Sequence, residues 1–134
     1  MSIDDVEIGD ELPEERPDVS MDTVRRFVRA AEMEFPRFID HDAARAEGLP
    51  GAVIPGIMSQ AHLAAMIHRW APGCSISSID TIFRTSMVVG TSVVCRGAVT
   101  DIDDDGTIEI DVTILSEESG ATGVLGTARL RLAD

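Results

Sequence analysis

Residues 56–70 read GIMSQAHLAAMIHRW, and this stretch decides the fold. Pro55 stands immediately before it and Pro72-Gly73 closes it, which is typical of the two ends of a helix. Apolar residues lie on almost every side of this helix, whereas a helix at a protein surface keeps one polar face. The pattern therefore predicts a central helix that the rest of the chain buries on all sides.

Strand-like segments follow this helix to the end of the sequence. Their predicted ranges are 76–87, 92–102, 107–115 and 122–132. The third alternates strictly from Ile108 to Ile114, which is typical of a strand with one buried face. Turns are predicted near Val89-Gly90 and at DDDG, residues 103–106. One buried helix followed by an antiparallel meander that curls round it predicts an α+β, hot-dog fold.

The first third of the chain is predicted to contribute two helices. Ser20 is placed to cap a helix over residues 21–32. Asp40 is placed to cap a short helix over residues 42–47 that stops at Gly48. Residues 6–13 are predicted to be extended. Because the chain has no internal repeat and no linker, we expect residues 1–134 to form a single domain.

The charge of the chain limits its binding partners. There are 24 acidic residues against 11 basic ones, all of them arginine, and the net charge is −13. Such a surface repels phosphate backbones, so no nucleic-acid partner is expected. A CoA ligand would need arginines that gather locally. The candidates for that contact are Arg84, Arg96, Arg129 and Arg131.

Other features argue against a secreted protein, a membrane protein or a metalloprotein. The N-terminus is acidic rather than signal-like, and polar residues interrupt every long apolar stretch. Cys74 and Cys95 lack metal-type spacing and are expected to be small core residues in a reducing cytoplasm. His62 and His68 are six residues apart, which places them on different helix faces. We therefore expect no metal and no membrane contact.

Five short stretches, taken together, resemble the MaoC-like hydratases, which are the R-specific enoyl-CoA hydratases. That family carries D-x-x-x-x-H-x-D-x-x-x-A-x-x-x-G, then an apolar-H-G-M turn that opens the hot-dog helix, and later F-x-x-P-V-x-x-G-D/T. The matching positions are Gly9-Asp10-Glu11-Leu12, Asp40 with Ala44 and Gly48, Val53-Ile54-Pro55-Gly56-Ile57, Phe83, and Gly90-Thr91. The resemblance covers most of the chain, with Ser86 where proline is common.

The resemblance breaks at the positions that carry the family's chemistry. The family aspartate falls on Met33, the family histidine on Phe38, and the histidine of the turn on Pro55. In the family, the aspartate and histidine hold a water and move its proton, while backbone N–H groups at the helix start hold the thioester oxygen. Met and Phe transfer no proton, and each general acid–base group typically contributes about 10²–10⁴ in rate. Gly56 remains as the oxygen-binding position.

The resemblance thus implies a non-catalytic hot-dog subunit of an enoyl-CoA hydratase. It would bind an acyl-CoA as its ligand and need no other cofactor. It would form a homo-oligomer or a hetero-oligomer with a catalytic hot-dog chain. The absence of the family's aspartate and histidine favours the hetero-oligomer. The implied substrate-binding residues are Gly56, Pro55, Ile57 and Asp40. Two alternatives stay open. An active hydratase would use the relocated groups Glu32, Glu34 or His41, and an acyl-CoA thioesterase would depend on Ser59.

Overall fold

The computed structural model describes residues 1–134 and contains five helical elements and four strands. A 3-10 turn spans Ile3–Asp5. The helices are α1 (Met21–Ala30), α2 (Pro36–Ile39), α3 (His41–Ala46) and α4 (Gly56–Trp70). The strands are β1 (Ser75–Phe83), β2 (Val93–Ile102), β3 (Ile108–Ser116) and β4 (Thr122–Arg131). The predicted bounds of the central helix are confirmed, and those of three strands agree to within a residue at either end.

The predicted helix caps and the acidic turn are also present. The Ser20 side chain accepts a hydrogen bond from the N–H of Thr23, and Asp40 accepts from two N–H groups at the start of α3. Asp18 supports the first cap, and hydrogen bonds from the Thr23 hydroxyl and the Ser20 N–H lower the pKa of Asp18 to about 2. Gly106, at φ +88°, closes the turn between β2 and β3.

The strands form one antiparallel sheet in the order β1-β4-β3-β2, which corrects part of the predicted topology. β2, β3 and β4 are a meander, but β1 pairs with β4 at the far edge. The link between β1 and β2 therefore crosses from one edge of the sheet to the other. It hydrogen-bonds to the segment that precedes α4, through Ile54 N–H to Met87 O (2.9 Å) and Val89 N–H to Ala52 O (2.8 Å). These bonds replace the hairpin pairing that a simple meander would need.

The two edges of the sheet differ in what covers them. Residues 9–15 run along β2, where Leu12 N–H donates to Gly97 O and Glu15 exchanges two hydrogen bonds with Cys95. The outer edge of β1 has no partner strand. An uncovered edge offers a row of backbone donors and acceptors to another chain.

The central helix α4 packs against the concave face of the sheet. Leu63, Met66 and Ile67 are fully buried there in one cluster with the inward side chains of β3 and β4. The prediction that the chain buries this helix on all sides is wrong, because Ile57 is 55% exposed and Ala61 and His68 are also exposed. Four strands curl far enough to cover one face only. The hot-dog arrangement itself is confirmed.

Candidate functional site

A cleft of about 420 Å³ opens beside the N-terminal end of α4. Its walls come from α2, the turn before α4, the end of β1, the β1–β2 link and the start of β4. The lining residues are Arg37, Phe38, Leu49, Val53, Ile54, Gly56, Ser59, Phe83, Arg84, Thr85, Ser86, Met87 and Val124. The walls are thus mostly apolar, with polar groups at the helix start and in the link.

Hydrogen bonds from α2 and α3 hold the turn that leads into α4. The His41 Nδ1 atom accepts from the N–H of Ala52 at 3.0 Å, and Val53 N–H donates to Arg37 O at 3.0 Å. Gly51 fits because a β-carbon there would lie 3.0 Å from His41 Nδ1. The turn therefore gives the first residue of α4 a fixed position against the cleft.

Gly56 begins α4 and presents its backbone to the cleft. The first N–H groups of a helix have no acceptor within it and carry the positive end of the helix dipole. Pro55, the cap residue, provides no side-chain hydrogen bond to them. A β-carbon at Gly56 would lie 2.9 Å from the tip of the Phe83 ring. Glycine therefore lets the ring lie close to the helix start, and a side chain there would force the ring to shift.

The cleft holds no group that transfers protons near neutral pH. No aspartate, glutamate, histidine, cysteine or tyrosine lines it. Phe38 occupies a wall and meets Phe35 edge to face, with the ring centroids 6.2 Å apart. Met33 is half-buried and packs against the core outside the lining. The two positions thus contribute apolar surface and no acid or base.

The three relocated groups considered from the sequence all lie outside this lining. Glu32 is exposed and adopts a left-handed φ of +56° at the end of α1. Glu34 is exposed, with an oxygen 3.9 Å from Nε of Arg29. His41 uses its Nδ1 lone pair to hold the turn. The structure therefore does not bring these groups together with Gly56.

The remaining predicted binding residues, Asp40, Pro55 and Ile57, do not line the cleft. Asp40 caps α3 with its side chain, at 2.9 Å from Asp42 N and 3.1 Å from Ala43 N. Pro55 is buried behind the helix start, and Ile57 points to solvent. Gly56 is thus the one member of that set whose atoms face the cleft.

Three of the four candidate arginines form ion pairs, and the fourth, Arg84, does not. Arg96, Arg129 and Arg131 form ion pairs with Glu14, Glu109 and Asp105, at 2.8, 2.8 and 2.7 Å. The guanidinium of Arg84 makes no ion pair and no hydrogen bond, and the residue belongs to the cleft lining. All ten other arginines have such a partner. Arg84 is therefore the cation most available to an anionic ligand there.

Several cleft residues could not be predicted from the sequence. Arg37 belongs to the short helix α2 and Leu49 to the loop after α3, and the sequence does not show how either is oriented. Thr85, Met87 and Val124 reach the cleft only because β1 pairs with β4 and the link crosses the sheet. A meander places these residues elsewhere, so no local signal identifies them.

The histidines and cysteines outside the cleft take separate places. His62 lies beside Arg69, and burial together with that cation lowers the pKa of His62. His68 Nδ1 is 3.7 Å from the buried Cys74 thiol at the far end of α4. Burial raises the pKa of Cys95 to about 12, with the Glu15 carboxylate adding to the effect. No cluster of three metal-ligating side chains is present, and no helix is long and apolar enough to cross a membrane.

No protein-family model matches the sequence, and no curated protein matches it either. Solved structures match over nearly the whole chain. A MaoC-like dehydratase superposes with a TM-score of 0.90 at 24% identity, covering 98% of this chain and 42% of that one. The chain has the hot-dog fold of the MaoC-like dehydratases.

Two further structures carry the same MaoC-like fold. The (R)-hydratase from A. caviae involved in PHA biosynthesis has a TM-score of 0.89 at 18% identity, with 96% of this chain and 98% of that chain covered. A chain of the ChsH1–ChsH2 complex from Mycobacterium tuberculosis has a TM-score of 0.86 at 21% identity, with 95% and 98% covered. The MaoC-like fold is therefore found both in a hydratase and in a complex of two differently named chains.

Proposed function

We propose that this chain is a non-catalytic MaoC-like subunit that binds an acyl-CoA thioester for a catalytic hot-dog partner. The observation that carries the proposal is the lining of the cleft. It keeps the free helix start at Gly56 but holds no carboxylate or imidazole. A hydratase must deliver water and move its proton, which takes a positioned acid–base group. The cleft has the means to hold a thioester and lacks the means to hydrate it.

The walls of the cleft suit an acyl chain. Phe38, Leu49, Ile54 and Val124 supply apolar surface around a volume of about 420 Å³. Burying apolar surface contributes about 25 cal/mol for each Å² removed from water. Phe38, in place of the family histidine, therefore increases the affinity for an apolar acyl group and removes a general acid–base group.

The mouth of the cleft suits a protein partner. Ile57, Phe83 and Phe35 are each more than half exposed. Phe83 lines the cleft, Ile57 follows the lining residue Gly56, and Phe35 packs against the lining residue Phe38. Ile82, also 54% exposed, lies next to Phe83 on β1, whose outer edge is unpaired. Exposed apolar side chains that cluster at an open strand edge are typical of interaction sites. The ChsH1–ChsH2 complex supports a hetero-oligomer, in which the partner supplies the acid and the base.

We place the protein in the cytoplasm, in keeping with its two free, buried thiols.

Calorimetric titration with hexanoyl-CoA tests the proposal. We expect saturable binding to one site per chain and no release of free CoA. Titration with CoA alone is the control, and it should bind more weakly because it lacks the acyl group. Equal affinity for CoA and hexanoyl-CoA would show that the cleft does not receive the acyl chain, and release of CoA would favour the thioesterase alternative.

Arg84→Glu is expected to weaken hexanoyl-CoA binding by about 10-fold at low salt, because it replaces a free cation at the cleft with an anion that repels the CoA phosphates. Hexanoyl-pantetheine, which lacks the nucleotide phosphates, should bind both proteins alike. Arg129→Glu is the matched control, since Arg129 is paired with Glu109 on the sheet. An equal loss for both thioesters in the Arg84 variant would mean that this arginine shapes the cleft and does not contact phosphate.

A further inference from the structure

Ser59 is the one buried polar residue of the protein, and it lines the cleft. Only 2% of its surface is exposed, and its hydroxyl makes no hydrogen bond within the chain. No fully enclosed side-chain oxygen or nitrogen lacks a partner in this protein. The accessible part of the Ser59 hydroxyl therefore opens on the cleft that the residue lines.

The geometry of α4 places this hydroxyl beside the helix start. Residues three apart share a helix face, so Ser59 lies above Gly56. Helical side chains also point back towards the N-terminus and cover the preceding turn. Gly56 has no side chain, and the Phe83 ring lies where a β-carbon of Gly56 would point. The Ser59 hydroxyl and the free N–H groups of the first turn thus face the same small volume.

The Ser59 hydroxyl opens on the cleft, so an acceptor on a ligand in the cleft can pair with it. A serine inside a helix has no advantage over alanine in helix propensity. Its opening on the cleft makes this hydroxyl available to an acceptor that enters there. The carbonyl oxygen of a thioester is such an acceptor, and it accepts two hydrogen bonds at once.

We propose that Ser59 is a second hydrogen-bond donor, beside the first-turn N–H groups at Gly56, for the carbonyl oxygen of the bound acyl thioester. The inference rests on the proposed function, because it assumes that an acyl thioester enters this cleft. It assigns a binding role to a side chain and requires no base. A nucleophilic role would need one, and the lining supplies none.

The test compares hexanoyl-CoA with S-hexyl-CoA, the thioether that lacks only the carbonyl oxygen. Wild-type protein is expected to bind the thioester several-fold more tightly. Ser59→Ala should lose about 5-fold for the thioester and nothing for the thioether, which corresponds to one hydrogen bond. Ser75→Ala, on an exposed serine at the start of β1, is the matched control and should change neither affinity. Ser59→Ala is expected to fold, since alanine favours a helix.

A spectroscopic measurement separates a hydrogen bond from an effect on shape. With ¹³C-labelled hexanoyl-CoA, the carbonyl stretch should shift to lower frequency on binding, and Ser59→Ala should reverse part of that shift. Equal losses for thioester and thioether, or an unchanged stretch, would overturn the role of Ser59 and leave the proposed function standing. Failure of wild-type protein to bind either ligand would overturn both. Release of CoA by wild-type protein but not by Ser59→Ala would show a nucleophile instead of a binding group.

Discussion

Purified chain supplied with crotonyl-CoA is expected to hydrate it at least about 10⁴-fold more slowly than a hydratase that keeps both the aspartate and the histidine. The physical reason is that Phe38 and Met33 offer neither a proton acceptor nor a donor. The rest of the lining offers none either. Loss of the enoyl thioester absorbance over time measures the rate.

The control for that assay is a triple variant, Glu32→Gln with Glu34→Gln and His41→Gln. It removes every relocated group that the sequence suggests, so the residual rate should stay the same. Because His41 holds the turn before α4, the folding of this variant is checked by circular dichroism. Brisk hydration by the wild type that this variant abolishes would contradict the account and establish an active enzyme with relocated groups.

Gly126→Ala is expected to destabilise the protein by about 3 kcal/mol, which is large for the addition of one methyl group. Gly126 pairs with Thr81 of β1 on one side and Val112 of β3 on the other. A β-carbon there would overlap the carbonyl oxygen of Asp80 and lie 3.0 Å from Thr81 Cα. These are backbone atoms, so β1 has to separate from β4. The midpoint of urea unfolding measures the effect.

Gly97→Ala is the matched control for this variant, because Gly97 lies in the same sheet on β2. A β-carbon there would meet three side-chain ends, of Ile110, Leu12 and Met66, each at 3.3 Å. Side-chain ends shift by a few tenths of an ångström, so the cost should be about 1 kcal/mol, at the lower end of the range for overpacking. Equal shifts of the two unfolding midpoints would show that the close approach of β1 to β4 is not what requires glycine at position 126.

Much of the fold could be predicted because local patterns determine it. The prolines on either side of α4 and the alternation in β3 specify those elements without reference to the rest of the chain. The pairing of β1 with β4 could not be predicted in this way. It depends on the link finding hydrogen-bond partners before α4, and those contacts join residues distant in sequence. The exposed face of α4 was not predicted either, because how far the sheet covers the helix also depends on contacts between residues distant in sequence.

The candidate site, too, could be predicted from the sequence only in part. Phe38, in α2, and Gly56, the first residue of α4, were both singled out from the sequence, and both line the cleft. Ser59 was considered from the sequence only as a nucleophile, whereas its place in the cleft lining, above Gly56, indicates a binding role. The free state of Arg84 depends on which arginines find carboxylates in three dimensions, and the sequence does not show this.

Native mass spectrometry of the chain incubated with crotonyl-CoA tests the central claim most directly. The claim is that the chain binds an acyl thioester and does not transform it. It predicts a non-covalent complex from which crotonyl-CoA is released with its mass unchanged. A ligand heavier by one water would show that the chain is a working hydratase, and a covalently acylated chain would show that it is a thioesterase. Free chain alone at saturating crotonyl-CoA would contradict the thioester site itself.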